Sequence, residues 1–302
     1  MKKVWIYDQE QFSNFHCCTF LDTLGVEKRV FVLHSSRNDI VQYIRFLETE
    51  VLGLVGFNNL AYDYPIIHYI LRNKSRYLQQ SAVSIVHDLY LHSKQLIDEE
   101  GKGGIPLKSI KIPQLDLYKM YHFDNKNKRT SLKYLEINTR FHNVQDLPFE
   151  PNYWVNDEDI PEIIEYNEND CNATLHFYNI AKEEIDARRN LMQQFGFNGD
   201  FMNFNDPKIG SEIFAKAIAE EMDISVYELK QMRTERPVMD LHDIILPNIK
   251  FQSLEFNNLL KKFQKTIIKS TLKPFEYSCI YKGFKYDYGV GGIKCVSSSK
   301  EI

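Results

Sequence analysis

Val4–Phe12 reads VWIYDQEQF. The stretch starts as an apolar strand and then sets two acids, Asp8 and Glu10, on either side of a glutamine. Successive side chains of a strand leave opposite faces, so Asp8 and Glu10 share a face with Ile6, while Gln9 lies with Trp5 and Tyr7. A buried strand carries D-x-E for one of two reasons: either its end frays into solvent, or two carboxylates are aimed at a common target. The rest of the chain decides between them.

Lys3–Tyr7, Phe15–Leu21 and Arg29–Leu33 read as three strands rich in Val, Ile, Phe and Thr. The apolar spacing turns helical over Asn38–Glu50, through Ile40, Val41, Ile44 and Leu47. Val51–Phe57 is a short apolar run that feeds a helix through YPIIHYIL, with Pro65 in the first turn. A further helix is expected over Tyr77–Leu96, a flexible turn at GKGG (101–104) and a strand at IPQLDLY (112–118). Ser131–Leu135 starts a helix, and Asp159–Phe195 is a long helical region interrupted near Asp186. Three strands followed by alternating helix and strand predict an α/β domain with a mixed five-stranded sheet flanked by helices, over residues 1–197. Asn198–Asp206 is a polar break. Residues 198–302 form a C-terminal extension with a helix over Ile209–Glu221 and then a less regular tail rich in Lys, Phe, Tyr and Gly.

Composition bounds the function. Hydrophobic residues make up 43% and charged residues 26% of the 302, an ordinary soluble globular balance that allows one large domain or a domain with an appendage. No apolar run reaches the length of a membrane span. The N-terminal apolar run is cut by Asp8, so it reads as a strand and not as a signal peptide. The five cysteines show no C-x-x-C spacing, which argues against a zinc site or a disulfide framework and fits a reducing, cytoplasmic setting. A net charge of −4 excludes a global basic footprint for nucleic acid. Charge is uneven, however: Lys250–Lys294 holds nine lysines against three acids, and Val144–Asp170 holds nine acids with no Lys or Arg. Each such run is either a solvated face or an interaction surface.

Three acidic signals occur in order. Asp8 and Glu10 come first. Asp63 follows the strand-and-turn phrase VGFNNLAYD and starts a helix beyond a strand's C-terminal end, where open α/β sheets gather their ligands. Tyr166 and Asp170, in YNEND, stand i and i+4 on a helix and share one face. Alone, each signal has a plainer reading: a strand end, an Asx turn capping a helix, surface decoration. Together they bring four carboxylates and a phenol to one place, and such a cluster needs protons or cations. Oxygen-only ligands suit Mg²⁺ or Mn²⁺, and two such ions can activate water against a phosphodiester.

YDQE, FNNLAYD and YNENDCNAT resemble the three motifs of the 3′–5′ proofreading exonuclease domain of family B DNA polymerases, D-x-E, N-x-x-x-(F/Y)-D and Y-x-x-x-D. The domain belongs to the DnaQ-like, RNase H-like DEDDy exonuclease superfamily. TSLKYL, with Ser131 and Leu132, resembles the single-strand-binding (S/T)-L-x-x-h motif of protein-primed members. The phrases GFNNLAYDYP and SLKYLEI look most like phage-encoded polymerases, and YDYGVGGIK (286–294) resembles the Gly-rich exonuclease-to-polymerase segment. The departures are specific. Gln9 stands where an aliphatic residue is usual, Lys294 where a His often follows GGI, and no Lys-x-x-h element precedes Tyr166. No phrase resembling D-x-x-S-L-Y-P occurs up to Ile302, so the expectation is an exonuclease without a polymerase site in this chain.

The resemblance implies a two-metal 3′–5′ exodeoxyribonuclease on single-stranded DNA 3′ ends or primer-template. Asp8 would bridge two Mg²⁺ or Mn²⁺ ions, Glu10 and Asp170 would complete the first site, and Asp63 would hold the second. Tyr166 would orient the attacking water, and Asn58, Ser131 and Leu132 would contact the strand. Phe12 and Tyr62 would wall or stack on bases, with core packing the plainer alternative for both. The lysine-rich tail would touch phosphates or dock a separate polymerase subunit, in the host cytoplasm if phage-encoded, with no membrane partner. A non-catalytic replisome or DNA-binding module, and an RNA-directed exonuclease, are the competing readings. Gln9, polar on the sheet's far face, is expected to find a hydrogen-bond partner.

Overall fold

The computed structural model describes residues 2–99, 104–125, 130–150, 152–197, 199–232, 238–269, 276–289 and 292–297. β1 (Lys3–Gln11) carries the opening stretch through its whole acidic part, four residues beyond the expected strand end at Tyr7. It can do so because both of its faces are covered. It pairs antiparallel with β2 (His16–Asp22), which is buried along its full length, and β2 pairs antiparallel with β3 (Lys28–His34). β4 (Arg37–Asn38) turns back on β3, and α1 (Ile40–Thr49) leads into β5 (Val51–Gly56), which runs parallel to β1.

α2 (Asp63–Arg72), α3 (Lys74–Tyr77) and α4 (Ala82–Asp98) follow, then β6 (Gln114–Asp116), parallel to β5. The sheet is therefore mixed and six-stranded, in the order β4-β3-β2-β1-β5-β6, and not five-stranded as expected. The extra strand, β4, is two residues long, too short to leave an alternating pattern. The helix expected over Tyr77–Leu96 is broken, because Ser81 caps α4 by accepting the Ser84 N–H. The strand expected over 112–118 stops at Asp116, whose carboxylate caps α5 (Leu117–Met120).

α6 (Leu132–Asn138) precedes α7 (Ile160–Ile180) and α8 (Lys182–Gln194). The long helical region breaks at Ala181, earlier than the expected Asp186. Strand alternation sets the two layers. Trp5 and Tyr7 face Phe20, Phe31, Tyr43, Phe46 and the helices α1, α2 and α4. Ile6 faces the other way, onto Cys171 and Phe177 of α7. β1, β5 and β6 share one direction, so their C-terminal ends, Asp8–Glu10, the turn after Gly56 and Asp116, emerge at one end of the sheet. Cys17, Cys18 and Cys171 are buried free thiols, and Cys279 is also free.

The chain forms two compact units, Met1–Ala217 and Ile218–Ile302, and α9 (Asp206–Glu221) runs through the boundary. The second unit has short α10 (Val226–Gln231), β7 (Met239–Asp240) and α11 (Leu241–Ile244) before α12 (Leu254–Phe263). β8 (Ile267–Ile268) pairs with β7, and β9 (Glu276–Tyr281), β10 (Phe284–Gly289) and β11 (Gly292–Ser297) make an antiparallel meander. Phe256 and Phe263 of α12 meet Tyr281, Tyr286, Tyr277 and Tyr288 edge-on. Of the expected turn GKGG, only Gly104 lies within the described residues. Among the described residues no helix is long and apolar enough to cross a membrane.

Candidate metal centre

The turn that delivers Asp63 is built from buried polar contacts. After β5 the chain passes Asn58 at φ 62°, in the left-handed region that asparagine tolerates better than most residues. Gly56 is required just before it, because a Cβ there would come within 2.7 Å of the Asn59 Cβ. Asp116, fully buried on β6, accepts the Asn58 N–H at 3.0 Å and the Leu60 N–H at 3.1 Å. It also accepts the Tyr118 and Lys119 N–H groups, and its own N–H donates to Asn203 Oδ1. Two residues earlier, Gln114 accepts from the Tyr7 hydroxyl and from Asn59 Nδ2. The turn is thereby clamped to the sheet, and Asp63 starts α2 where the helix dipole favours a carboxylate.

Gln9 completes this clamp. It is 4% exposed and its Nε2 donates to the Asp63 carbonyl at 3.1 Å. The expected partner is thus the backbone of one of the four acids, reached from the far face of β1. Gln9 Oε1 is buried without a donor.

Asp8, Glu10 and Asp170 each bring a carboxylate oxygen within 4.8 Å of the other two. α7 reaches them because it crosses β1 and β2, with Cys171 Sγ donating to the Thr19 carbonyl. Asn167, fully buried one turn before Cys171, donates to Asp8 Oδ2 at 2.8 Å. Asp63 belongs to the same electrostatic cluster. Burial raises the Asp8 carboxyl well above its usual range, and the charges of Asp63, Asp170 and Glu10 raise it further. Glu10 is raised by burial, then by Asp170 and Asp63. Burial pushes Asp63 up to about 8, with Asp116 and Asp170 adding to the rise. Burial pushes Asp170 up to about 7, against a hydrogen bond from Tyr166. Tyr166 is raised first by burial and then by Asp170.

Among the described residues no lysine, arginine or histidine makes an ion pair with these four carboxylates. An oxygen-only set this crowded and without a protein cation fits a hard divalent ion. The structure therefore brings Asp8, Glu10 and Asp170 within 4.8 Å of one another, while Asp63 and Tyr166 lie outside that set and are linked to it through their effects on Asp8 and Asp170.

The strand-contact candidates divide. The Asn58 side chain is exposed at the turn, and Tyr62 is partly buried next to Asp63. Phe12 is 1% exposed and packs with Phe15, Val155 and Ile163. The Ser131 hydroxyl caps α6 by accepting the Tyr134 N–H, and Leu132 follows it on the helix. A cavity of about 470 Å³ opens beside Glu10, lined by Phe12, Tyr62, Tyr90, Lys94 and Leu147. Lys94 is exposed, lies over the Tyr90 ring at 4.8 Å and makes no ion pair among the described residues. Asp116, Asn167 and Lys94 were not singled out from sequence. Asp116 alone left a signal there, as an acid ending an apolar strand just before a helix.

The cluster has a consequence for stability. Asp63 and Asp170 keep protons in the folded, metal-free protein that the unfolded chain has already lost, so stability falls as pH rises from about 4 through about 8. Below about pH 6.5 buried His16, pushed down to about 3, slopes the other way, because the unfolded chain then gains a proton the fold refuses. Between pH 6.5 and 8 the carboxylates dominate. In EDTA, Tm is expected to drop across that window by at least about 4 °C, and Mg²⁺ or Mn²⁺ is expected to remove the drop. Parallel melting curves with and without the cation would contradict this.

No protein-family model, no curated protein and no solved structure matches this chain.

Proposed function

We propose that the chain is a metal-dependent 3′–5′ exonuclease that hydrolyses single-stranded DNA 3′ ends, as a proofreading nuclease does in replication. The observation that carries the reading is the Asp8–Glu10–Asp170 triad, whose oxygens lie within 4.8 Å of one another. Asp63, at the start of α2, and Tyr166, on α7, act electrostatically on it and follow the chain order of the motifs the sequence resembles, which supports the reading. A mixed sheet with helices on both faces supports the RNase H-like part of the reading.

Asp8, Glu10 and Asp170 would hold one divalent cation, and Asp8 with Asp63 a second. A cation bound there would supply a lower pKa for its water and charge withdrawal from a phosphodiester. The chain's own groups do the rest. The Tyr166 hydroxyl, on the same helix face as Asp170, would orient the attacking water. Asn167 and Gln9 fix Asp8 and Asp63 in place. The cavity beside Glu10 takes the unpaired terminal nucleotide, with Tyr62 as an aromatic wall and Lys94 facing its phosphate.

Lys94 lies in no lysine motif, yet it brings to the cavity a cation with no ion pair among the described residues. Lys94→Ala is expected to weaken oligonucleotide binding and to flatten the log K against log[salt] plot by about 0.7, one phosphate contact on a single strand. An unchanged slope would remove Lys94 from the strand path.

The reaction itself is tested with a 5′-labelled single-stranded DNA oligonucleotide and Mg²⁺. The expected result is a ladder shortened from the 3′ end, absent in EDTA and slower on matched RNA. Faster loss of the RNA would turn the reading to an RNA-directed exonuclease. An oligonucleotide left intact would overturn the activity.

A further inference from the structure

α6 and the turn after it are laced to α7 beside the metal centre. Asn143 Nδ2 donates to Asn169 Oδ1 at 2.9 Å, and Asn169 Nδ2 donates to the Asn143 carbonyl at 2.9 Å. The Phe141 N–H closes the end of α6 on the Glu136 carbonyl at 2.8 Å, and His176 Nε2 lies 3.3 Å from the Thr139 carbonyl. These contacts hold α6 against the turn of α7 that carries Asp170.

Leu132, Leu135 and Glu136 are i, i+3 and i+4 on α6, so they share one face. Leu135 packs with the cluster of Ile6, Cys171 and Phe177. Glu136 is turned inward with it. It is 4% exposed, and its Oε2 is buried with no hydrogen-bond donor. A buried carboxylate oxygen without a donor is disfavoured and calls for a partner. The neighbouring Lys133 pairs with Asp146, and its charge reaches Glu136 without giving Oε2 a donor. The negative charge of Glu136 reaches Asp170, adding to the crowding there. Glu136, like Asp63, is not within the 4.8 Å set of Asp8, Glu10 and Asp170.

We propose that Glu136 is an additional residue of the metal centre, its orphan Oε2 accepting a hydrogen bond from a water ligand of the cation held by Asp170. The inference rests on the metal-centre reading of the triad. In this position Glu136 orients the cation's water and adds charge without taking a coordination place. Carboxylates placed this way govern affinity, and losing one typically weakens metal binding 10–100-fold.

The test is calorimetric titration of Mn²⁺ into the wild-type chain and into Glu136→Gln, with melting curves of both in EDTA. The expected result is binding by both, about 10–100-fold weaker in the variant, with a variant Tm in EDTA equal to or above wild type because one repelling charge is gone. Equal affinities would overturn the role of Glu136 and leave the triad standing. A variant less stable than wild type in EDTA would also overturn it, since the side chain would then be holding α6. A wild-type chain that binds no Mn²⁺ would overturn both the inference and the reading beneath it.

Discussion

Asp8→Asn is expected to abolish Mg²⁺-dependent shortening of a single-stranded oligonucleotide, by at least about 10³-fold in rate. Asp8 is the carboxylate that the motif resemblance sets at both proposed ion positions; it lies within 4.8 Å of Glu10 and Asp170, and the charge of Asp63 raises it, as it raises Glu10. Metal polarisation of a phosphoryl oxygen is worth several kcal/mol, and about 4 kcal/mol corresponds to 10³ in rate. The amide keeps the shape, and its oxygen can still accept from Asn167, so the fold should survive. Removing a half-buried, mutually repelled charge should also raise Tm in EDTA while abolishing the cation's stabilising effect. Oligonucleotide assays and melting curves on the same preparation separate these outcomes. A variant within tenfold of wild-type rate would place the chemistry elsewhere.

Asp116→Ala is expected to have the largest effect on stability. One carboxylate accepts four backbone N–H groups, from Asn58, Leu60, Tyr118 and Lys119, and is fully buried. Alanine leaves these donors facing a gap. Each unsatisfied buried group costs about 1–3 kcal/mol, and local relaxation recovers part, so a loss of about 3–5 kcal/mol is expected. That corresponds to roughly a 10 °C lower Tm for a unit of this size. The turn that Asp116 clamps also delivers Asp63, so cation stabilisation should weaken as well. A loss below about 1 kcal/mol in denaturant unfolding would mean that the turn holds itself.

The parts of the site legible in the sequence are those written in local periodicity. The alternation of β1 puts Asp8 and Glu10 on one face, and the i, i+4 spacing of α7 puts Tyr166 over Asp170. The placement of Gln9 on the face of Trp5 and Tyr7 follows from the same alternation, and its bond to the Asp63 carbonyl is the partner that placement called for. What stayed hidden depends on contacts between distant segments. Asp116 lies 58 residues from Asn58, and nothing in IPQLDLY tells which backbone it grips. Glu136 sat inside the quoted phrase SLKYLEI, on the face of Leu132 and Leu135, but only the packing of α6 on α7 shows it to be buried.

The sheet's sixth strand and the tail were hidden for a different reason. β4 has two residues, and a two-residue strand has no period. In the tail, Lys282 and Gly283, at φ 49° and 80°, make the two-residue turn that pairs β9 with β10. That signal lies in YKGF, within a stretch whose lysines and aromatics drew attention to charge instead of pairing.

A catalytic cation held by Asp8, Glu10 and Asp170 is seen most plainly by anomalous diffraction from a crystal of the chain soaked in Mn²⁺. The expected result is a manganese peak in contact with oxygens of all three residues. A crystal with no peak there, or with manganese bound only to other side chains, would contradict it.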